Sequence, residues 1–241
     1  MPAPGRILAL EGASGAGKST VSRAAARAYG WVRLAEAFDR LGRPDLDFRS
    51  ASELRWIERT LLREDARRFA EAHRLRQRGR VVVADTGFLG PLTYTAGLVA
   101  LGIAPRELLD EIEALARRRG GALASGLPDV VVYLDVPEST RRRRAARDAR
   151  RHPSELDRRH AAVARFERGF YRDLRAQLAP GAVRFVRADR PYPAVVRALA
   201  RIVRVAATSR GGPPPTFDRI ARGLRRRLAL AEGRTSRGRH R

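Results

Sequence analysis

The sequence predicts an α/β fold on a mostly parallel sheet, and three observations lead there. Apolar, β-branched runs alternate with helix-forming stretches along the chain. The clearest runs, RILALEG (6–12), RVVVADTG (80–87) and DVVVYLDVP (129–137), are continuous rather than alternating, as in strands covered on both faces. The first of them runs straight into a glycine-rich turn, GASGAGKST (12–20), which opens a helix. In such folds ligands gather at the carboxyl ends of the strands.

The elements follow in order. After the strand at 6–12, STVSRAAARAYG (19–30) is alanine-rich and closes on Gly30, so it reads as a helix with a glycine stop. WVRL (31–34) is a short strand that leads into AEAFDRLGRPDLD. Residues 51–78 place Leu54, Ile57, Leu61 and Leu62 on a recurring apolar face, which predicts a long helix. The strands at 80–87 and 129–137 follow, then VRFVRAD (183–189) and the helix-like YPAVVRALARIVRVA (192–206). Glu36, Asp85 and Asp135 each stand at or just after a predicted strand end. The domain is expected to span 1–207. SRGGPPPT (209–216) reads as a linker, because its prolines and glycines support neither helix nor central strand. FDRIARGLRRRLALAEG (217–233) then reads as a basic amphipathic helix, and RTSRGRHR (234–241) as disorder, so 208–241 is expected to be an accessory extension.

The turn fits G-x-x-x-x-G-K-[ST]: Gly12, Ala13, Ser14, Gly15, Ala16, Gly17, Lys18 and Ser19, with Thr20 following. A loop of this kind wraps backbone N–H groups around phosphates, and the helix N-terminus behind it adds its positive dipole end. Lys18 is the only lysine among 50 basic residues. Its compact ammonium bridges phosphates inside a tight loop where arginine's planar fork does not fit. The Ser19 hydroxyl is the expected Mg²⁺ ligand. The loop therefore predicts binding of a nucleoside triphosphate with Mg²⁺.

The chain has 241 residues, a formal net charge of +24 and no cysteine. Thiol catalysis, disulfides and thiolate metal sites are thus excluded. Neither a leader pattern nor an apolar run of membrane length is present, and the expected location is cytoplasmic. The arginines are spread along the chain rather than gathered in one block, which reads first as solvated helix faces. Weak polyanion binding by the basic tail at low salt would follow.

Four segments together resemble the P-loop kinases typified by thymidylate kinase and the deoxynucleoside kinases: LALEGASGAGKST, RVVVADTGFLGPLTYTAG, VVVYLDVPEST and VRADRPYPAVVRALARI, in the family's order from 6 to about 207. The resemblance implies a three-layer P-loop NTPase fold with a helical lid and an ATP-dependent phosphotransferase. It implies that Lys18 and Ser19 hold ATP and Mg²⁺, and that Asp85 supports the Mg²⁺ water shell or polarises the acceptor. Arg143 and Arg147, one helical turn apart, match arginines that lead into the lid, and Arg150 and Arg151 would close over the transferring phosphoryl. Arg142 and Arg144 read as solvated helix face. Three departures fall on acceptor-reading positions: Thr86 stands where the family has arginine, Gly90 where it has serine, and Thr93-Tyr94-Thr95 where it has Ala-Tyr-Gln. Glu36 keeps the carboxylate that serves as base in the deoxynucleoside kinases, while Ala35 and Thr86 lack the arginines that a phosphate acceptor would need. These positions tilt the expected acceptor toward a hydroxyl. Arg63, Arg67 and Arg68 remain alternative substrate cations. A nucleoside or nucleotide is the first acceptor expected, and a non-nucleoside hydroxyl metabolite such as an antibiotic the second. The competing class is a regulatory or nucleic-acid-associated NTPase anchored by arginines 219, 222, 225, 226 and 227. A homodimer is an open expectation, and no membrane partner is expected.

Overall fold

The computed structural model describes residues 5–42, 50–87, 89–122, 127–147, 155–208 and 216–238. Five strands, β1 (Arg6–Glu11), β2 (Val32–Leu34), β3 (Val81–Asp85), β4 (Val130–Asp135) and β5 (Val183–Arg187), form one parallel sheet in the order β2-β3-β1-β4-β5. From β1 the chain passes to the edge strand β2 and returns as β3 between the two, then crosses to β4 and β5 on the other side of β1. The switch point therefore lies at the carboxyl end of β1, where the glycine-rich loop begins.

Nine helices are described: α1 (Lys18–Tyr29), α2 (Ala37–Arg40), α3 (Ala51–Gln77), α4 (Gly90–Ala100), α5 (Arg106–Ala122), α6 (Glu138–Ala146), α7 (Glu155–Gln177), α8 (Tyr192–Thr208) and α9 (Phe217–Gly238). Local sequence sets several of their ends. Gly30 takes φ 64° and stops α1, a conformation without strain only for glycine. Ser50 caps α3 by accepting from the Glu53 N–H at 3.2 Å, the serine-to-glutamate spacing of a capping box.

Leu8, Leu10, Val83, Val130, Val132 and Leu134 pack with Val21 and Ala25 of α1 and Val195 and Leu199 of α8 in one core layer. Ile7, Ala9, Val82, Ala84, Val131 and Tyr133 face the other layer, built from α3, α4, α5, α7 and α9. Both strand faces are thus covered, which is why the strands read as unbroken apolar runs.

The extension differs from the sequence expectation. Ile220, Leu224 and Leu228 of α9 are buried in the same core as α4 and α7, so the helix belongs to the domain's packing. The helix also continues through Gly238, past the 233 end expected for it. Its arginines answer acids on the helices beneath: Arg225 meets Asp110 and Glu113 at 2.8 and 2.9 Å, and Arg227 meets Asp173 at 3.5 Å. Arg219 reaches the Gln177 carbonyl, while Arg222 and Arg226 face solvent. Amphipathicity was legible in the sequence; the partner for its apolar face was not. The expected linker at 209–216 lies outside the described residues but for Thr216. No described helix is long and apolar enough to cross a membrane.

Candidate active site

The loop between β1 and α1 has the backbone of a phosphate cradle. Gly12, Gly15 and Gly17 take φ of 136°, 85° and 96°, all left-handed. A Cβ on Gly12 would stand 2.8 Å from the Leu134 carbonyl oxygen, so no larger residue fits there. Lys18 curls back and donates from Nζ to the Gly12 carbonyl at 2.8 Å, which holds its ammonium over the loop. Ser19 and Thr20, in the first turn of α1, are half-buried. These residues fit a triphosphate by chemistry and by shape.

Asp85, at the end of β3, is fully buried. Its Oδ2 accepts from Arg33 of β2 at 3.0 Å, beside the Ser22 hydroxyl of α1. Its Oδ1 has no hydrogen-bond partner among the described residues, an acceptor left unsatisfied at the end of β3. Arg33 was not singled out in the sequence; strand alternation alone does not reveal that β2 and β3 are neighbours, and only their pairing, Val32 with Val82 through Leu34 with Ala84, brings Arg33 to Asp85.

Thr86 has φ 67°, the only positive φ of a non-glycine among the described residues and a costly one for a β-branched side chain. Arg68, fully buried on α3, holds this peptide in place: its Nη2 donates to the carbonyls of Asp85 (2.8 Å) and Thr86 (3.2 Å), and its Nη1 pairs with Asp65. Arg68 is therefore the clamp behind the site rather than a substrate cation. Arg67 is 79% exposed and pairs with Glu64. Arg63 lies with Trp56 on the outer side of α3.

The strained turn sets the Thr86 hydroxyl 3.1 Å from Oε1 of Glu36, to which it donates. Glu36 stands at the N-terminal boundary of α2 and makes no capping bond, so its carboxylate is turned to Thr86. A Cβ on Gly90 would come within 3.0 Å of Thr86 Cγ2. Two of the departures from the family are thus one: glycine at 90 makes room for threonine at 86.

Around Lys18 and Glu36 the protein gathers further carboxyls, of which the sequence had marked only Glu11, the acid preceding the loop. Glu11 ends β1, accepts from the Gly87 N–H at 2.8 Å and is pushed up to about 8, chiefly by burial and secondarily by Glu167. Glu167 of α7 accepts from Thr93 at 3.1 Å and is raised to about 7 by burial, an effect that Lys18 opposes. Glu58 of α3, beside Thr95, is raised to about 8 by burial and by Asp65. Burial raises Asp65 to about 7 against the pull of Arg68. These acids lie far apart in sequence on two helices and a strand, and the positions of Glu58, Asp65 and Glu167 within helices gave no signal.

The cations assigned to the lid are redistributed. Arg143 and Arg147 are exposed, and α6 ends before Arg147. Arg144, expected on the solvated face, instead donates to the Ala16 carbonyl at 3.0 Å and the Ala188 carbonyl at 2.8 Å, and lies over the Tyr192 ring. The 100° step of the helix explains the correction: the side of α6 that carries Arg141 and Arg144 turns inward, and Arg143 turns away. Arg150 and Arg151 lie outside the described residues. Beside Ala13 opens a cavity of about 410 Å³, lined among others by Arg141, Arg165 and Arg168, with Arg168 held to Asp135 by a two-pronged pair at 2.8 and 2.6 Å. Further basic groups on this side of the loop thus come from α7.

A family model described as an AAA domain matches residues 7–172, more than half of the chain. The chain belongs to the AAA-domain family. Within that family's frame, the match covers the phosphate loop, Glu36, Asp85 and most of α7. Three solved structures of deoxyadenosine kinase from M. mycoides are similar in fold. The one with products dCMP and a flexible dCDP bound has a TM-score of 0.60 at 16% identity, over 83% of this chain and 99% of the other. The one with bound dATP gives 0.60 at 16% over 82% and 99%, and the one with bound dCTP 0.56 at 14% over 83% and 99%. No curated protein matches in sequence. This AAA-domain chain therefore has a P-loop kinase fold with a five-stranded, all-parallel sheet.

Proposed function

We propose that this chain is an ATP- and Mg²⁺-dependent small-molecule kinase that transfers the γ-phosphoryl group to a hydroxyl on a nucleoside-like acceptor. The observation that carries the reading is the Glu36 carboxyl held by the Thr86 hydroxyl beside a buried cation that is already committed: Arg68 is engaged with Asp65 and the Asp85 and Thr86 carbonyls. A phosphate acceptor needs free cations, whereas a hydroxyl needs a carboxylate to take its proton. The fold shared with deoxyadenosine kinase supports the same class.

Lys18 and the N–H groups of 12–18 would hold the triphosphate, Ser19 would hold Mg²⁺, and Asp85 would hold its water shell. Bound Mg²⁺ supplies charge neutralisation on the phosphoryl oxygens. The acceptor oxygen forms its bond to the γ-phosphorus in line as the bond to the β–γ bridging oxygen breaks, and ADP leaves. Glu36, oriented by Thr86, takes the acceptor proton. Positioning does most of the work. Arg144, anchored on the loop's Ala16 carbonyl, fixes the α6 side of the site.

The test is mass-spectrometric detection of phosphorylated products from nucleosides, nucleoside monophosphates and hydroxyl metabolites with Mg·ATP, using Lys18→Ala as the blank. Glu36→Gln should lower kcat about 10²- to 10⁴-fold with ATP affinity unchanged, since Gln still accepts from Thr86 but takes no proton. An unchanged kcat removes Glu36 from the mechanism, and diphosphate products from monophosphates overturn the hydroxyl acceptor.

A further inference from the structure

The two helical layers that cover the sheet differ in the charge they turn outward. On the side of α3, α5, α7 and α9, exposed arginines are answered by acids of neighbouring helices. Arg55 and Arg59 meet Glu111 at 2.8 and 3.2 Å, Arg106 meets Glu232 at 3.5 Å, and Arg225 meets Asp110 and Glu113. The other layer consists of α1 and α8, and neither helix contains an aspartate or a glutamate. Arg23 and Arg27 of α1 and Arg197 and Arg201 of α8 are exposed, and none of the four forms an ion pair among the described residues.

Packing turns these four into one surface. The two helices lie side by side on the same face of the sheet, with Val21, Ala25, Val195 and Leu199 buried against it. Within each helix the two arginines are four residues apart, so they stand about 6 Å apart on one side. Packed helix axes lie about 8–10 Å apart, which sets the two rows next to each other. Uncompensated like charges on rigid elements favour a ligand with repeated negative charge. The apolar sides of both helices are spent on the core. Among their described residues Val205 is the one exposed large aliphatic, and Tyr29 is stacked on Trp31. The face therefore lacks the apolar side that enters a lipid surface and the apolar centre of a protein interface. A polar, strongly positive face of this kind suits nucleic acid.

We propose that the α1–α8 face binds the phosphate backbone of a nucleic acid without sequence preference. Two helices lying flat offer no element to enter a groove, so the contacts go to phosphates and read no bases. The face is separate from the kinase site. Lys18 stands at the start of α1, whereas Arg23 and Arg27 run from its second turn toward the opposite end. Mg·ATP and the nucleic acid therefore bind together. The polyanion affinity lies here rather than on the C-terminal helix, where Arg225 and Arg227 already hold acids.

The experiment measures fluorescence anisotropy of two labelled DNA duplexes of unrelated sequence, about 20 base pairs long, with the full chain. Both duplexes should bind equally, with a log–log salt slope of about −3 to −4 for four phosphate contacts. Affinity should then fall roughly 100-fold between 50 and 200 mM salt. Replacing Arg23, Arg27, Arg197 and Arg201 together by glutamate should abolish binding, and by glutamine should weaken it at least ten-fold. Thermal melting checks that both variants stay folded, as four exposed positions predict. Arg222→Glu with Arg226→Glu, also exposed, is the control and should change affinity far less per charge. Absence of duplex binding at 50 mM salt, or an equal loss per charge in the control, would overturn the inference. So would displacement of the duplex by Mg·ATP, or tighter binding to phosphatidylserine vesicles than to the duplex.

Discussion

Removing residues 208–241 separates two views of the C-terminal helix. If α9 is an accessory anchor, its loss leaves a folded domain. The structure predicts otherwise. Ile220, Leu224 and Leu228 are 2%, 0% and 0% exposed. At about 1.5–3 kcal/mol for each fully buried aliphatic side chain, the three contribute roughly 5–9 kcal/mol, before counting the surface uncovered on α4 and α7. A domain of this kind has a total stability of about 5–15 kcal/mol, so the shortened chain should lack a cooperative unfolding transition. A milder version is Leu224→Ala, expected to cost about 2–5 kcal/mol. For a domain of this size that lowers Tm by roughly 4–20 °C. The exposed Arg226→Ala is the control and should stay within about 0.5 kcal/mol of the parent. Circular dichroism followed through thermal and urea unfolding reads all three. A chain ending at 207 that melts cooperatively within a few degrees of the full protein would refute the placement of α9 in the core.

Further predictions concern the site. Arg144→Ala should weaken binding of a fluorescent ATP analogue by roughly ten-fold, since it frees the Ala16 and Ala188 carbonyls beside the loop, whereas the exposed Arg143→Ala should leave affinity unchanged; equal effects would return both to the solvated face. Thr86→Gly should raise unfolding stability by about 1 kcal/mol through relief of the positive φ, net of glycine's entropy, while kcat falls because Glu36 loses its donor. Loss of stability, or kcat unchanged, would contradict the strained-turn argument. Glu11, Glu58, Asp65 and Glu167 bind protons more tightly folded than unfolded, at about 8, 8, 7 and 7 against ordinary values of 4.5, 4.5, 3.8 and 4.5. Between the ordinary and raised values the folded state holds protons that the unfolded chain has released, so stability falls as pH rises through that window. Tm should therefore drop between about pH 4.5 and about pH 8, and Glu58→Gln should flatten part of the drop. A Tm that rises over that range would show these carboxyls to be ionised and paired.

Local pattern carried much of this protein in its sequence. The five strands, the capping of α3 at Ser50 and Glu53, and the glycine cradle around Lys18 depend on residue type and spacing within a few positions. So does the chemistry of the cradle, because a backbone that must take positive φ next to phosphates leaves few residues to choose from. What tertiary structure decided was which distant residues meet. Glu58, Asp65 and Glu167 sit at helical positions indistinguishable in sequence from other polar interruptions, yet the packing of α3 and α7 against α4 brings them together in the core. Arg68 reads as one of three alternative substrate cations until the Asp85–Thr86 peptide is placed against it. Arg144 rather than Arg143 reaches the loop because helix phase, relative to a neighbour the sequence does not specify, chooses the inward side. Helix α9 reads as an appendage because amphipathicity announces an apolar face without saying what covers it. Burial and charge pairing are properties of the assembled layers, and only their packing fixes them.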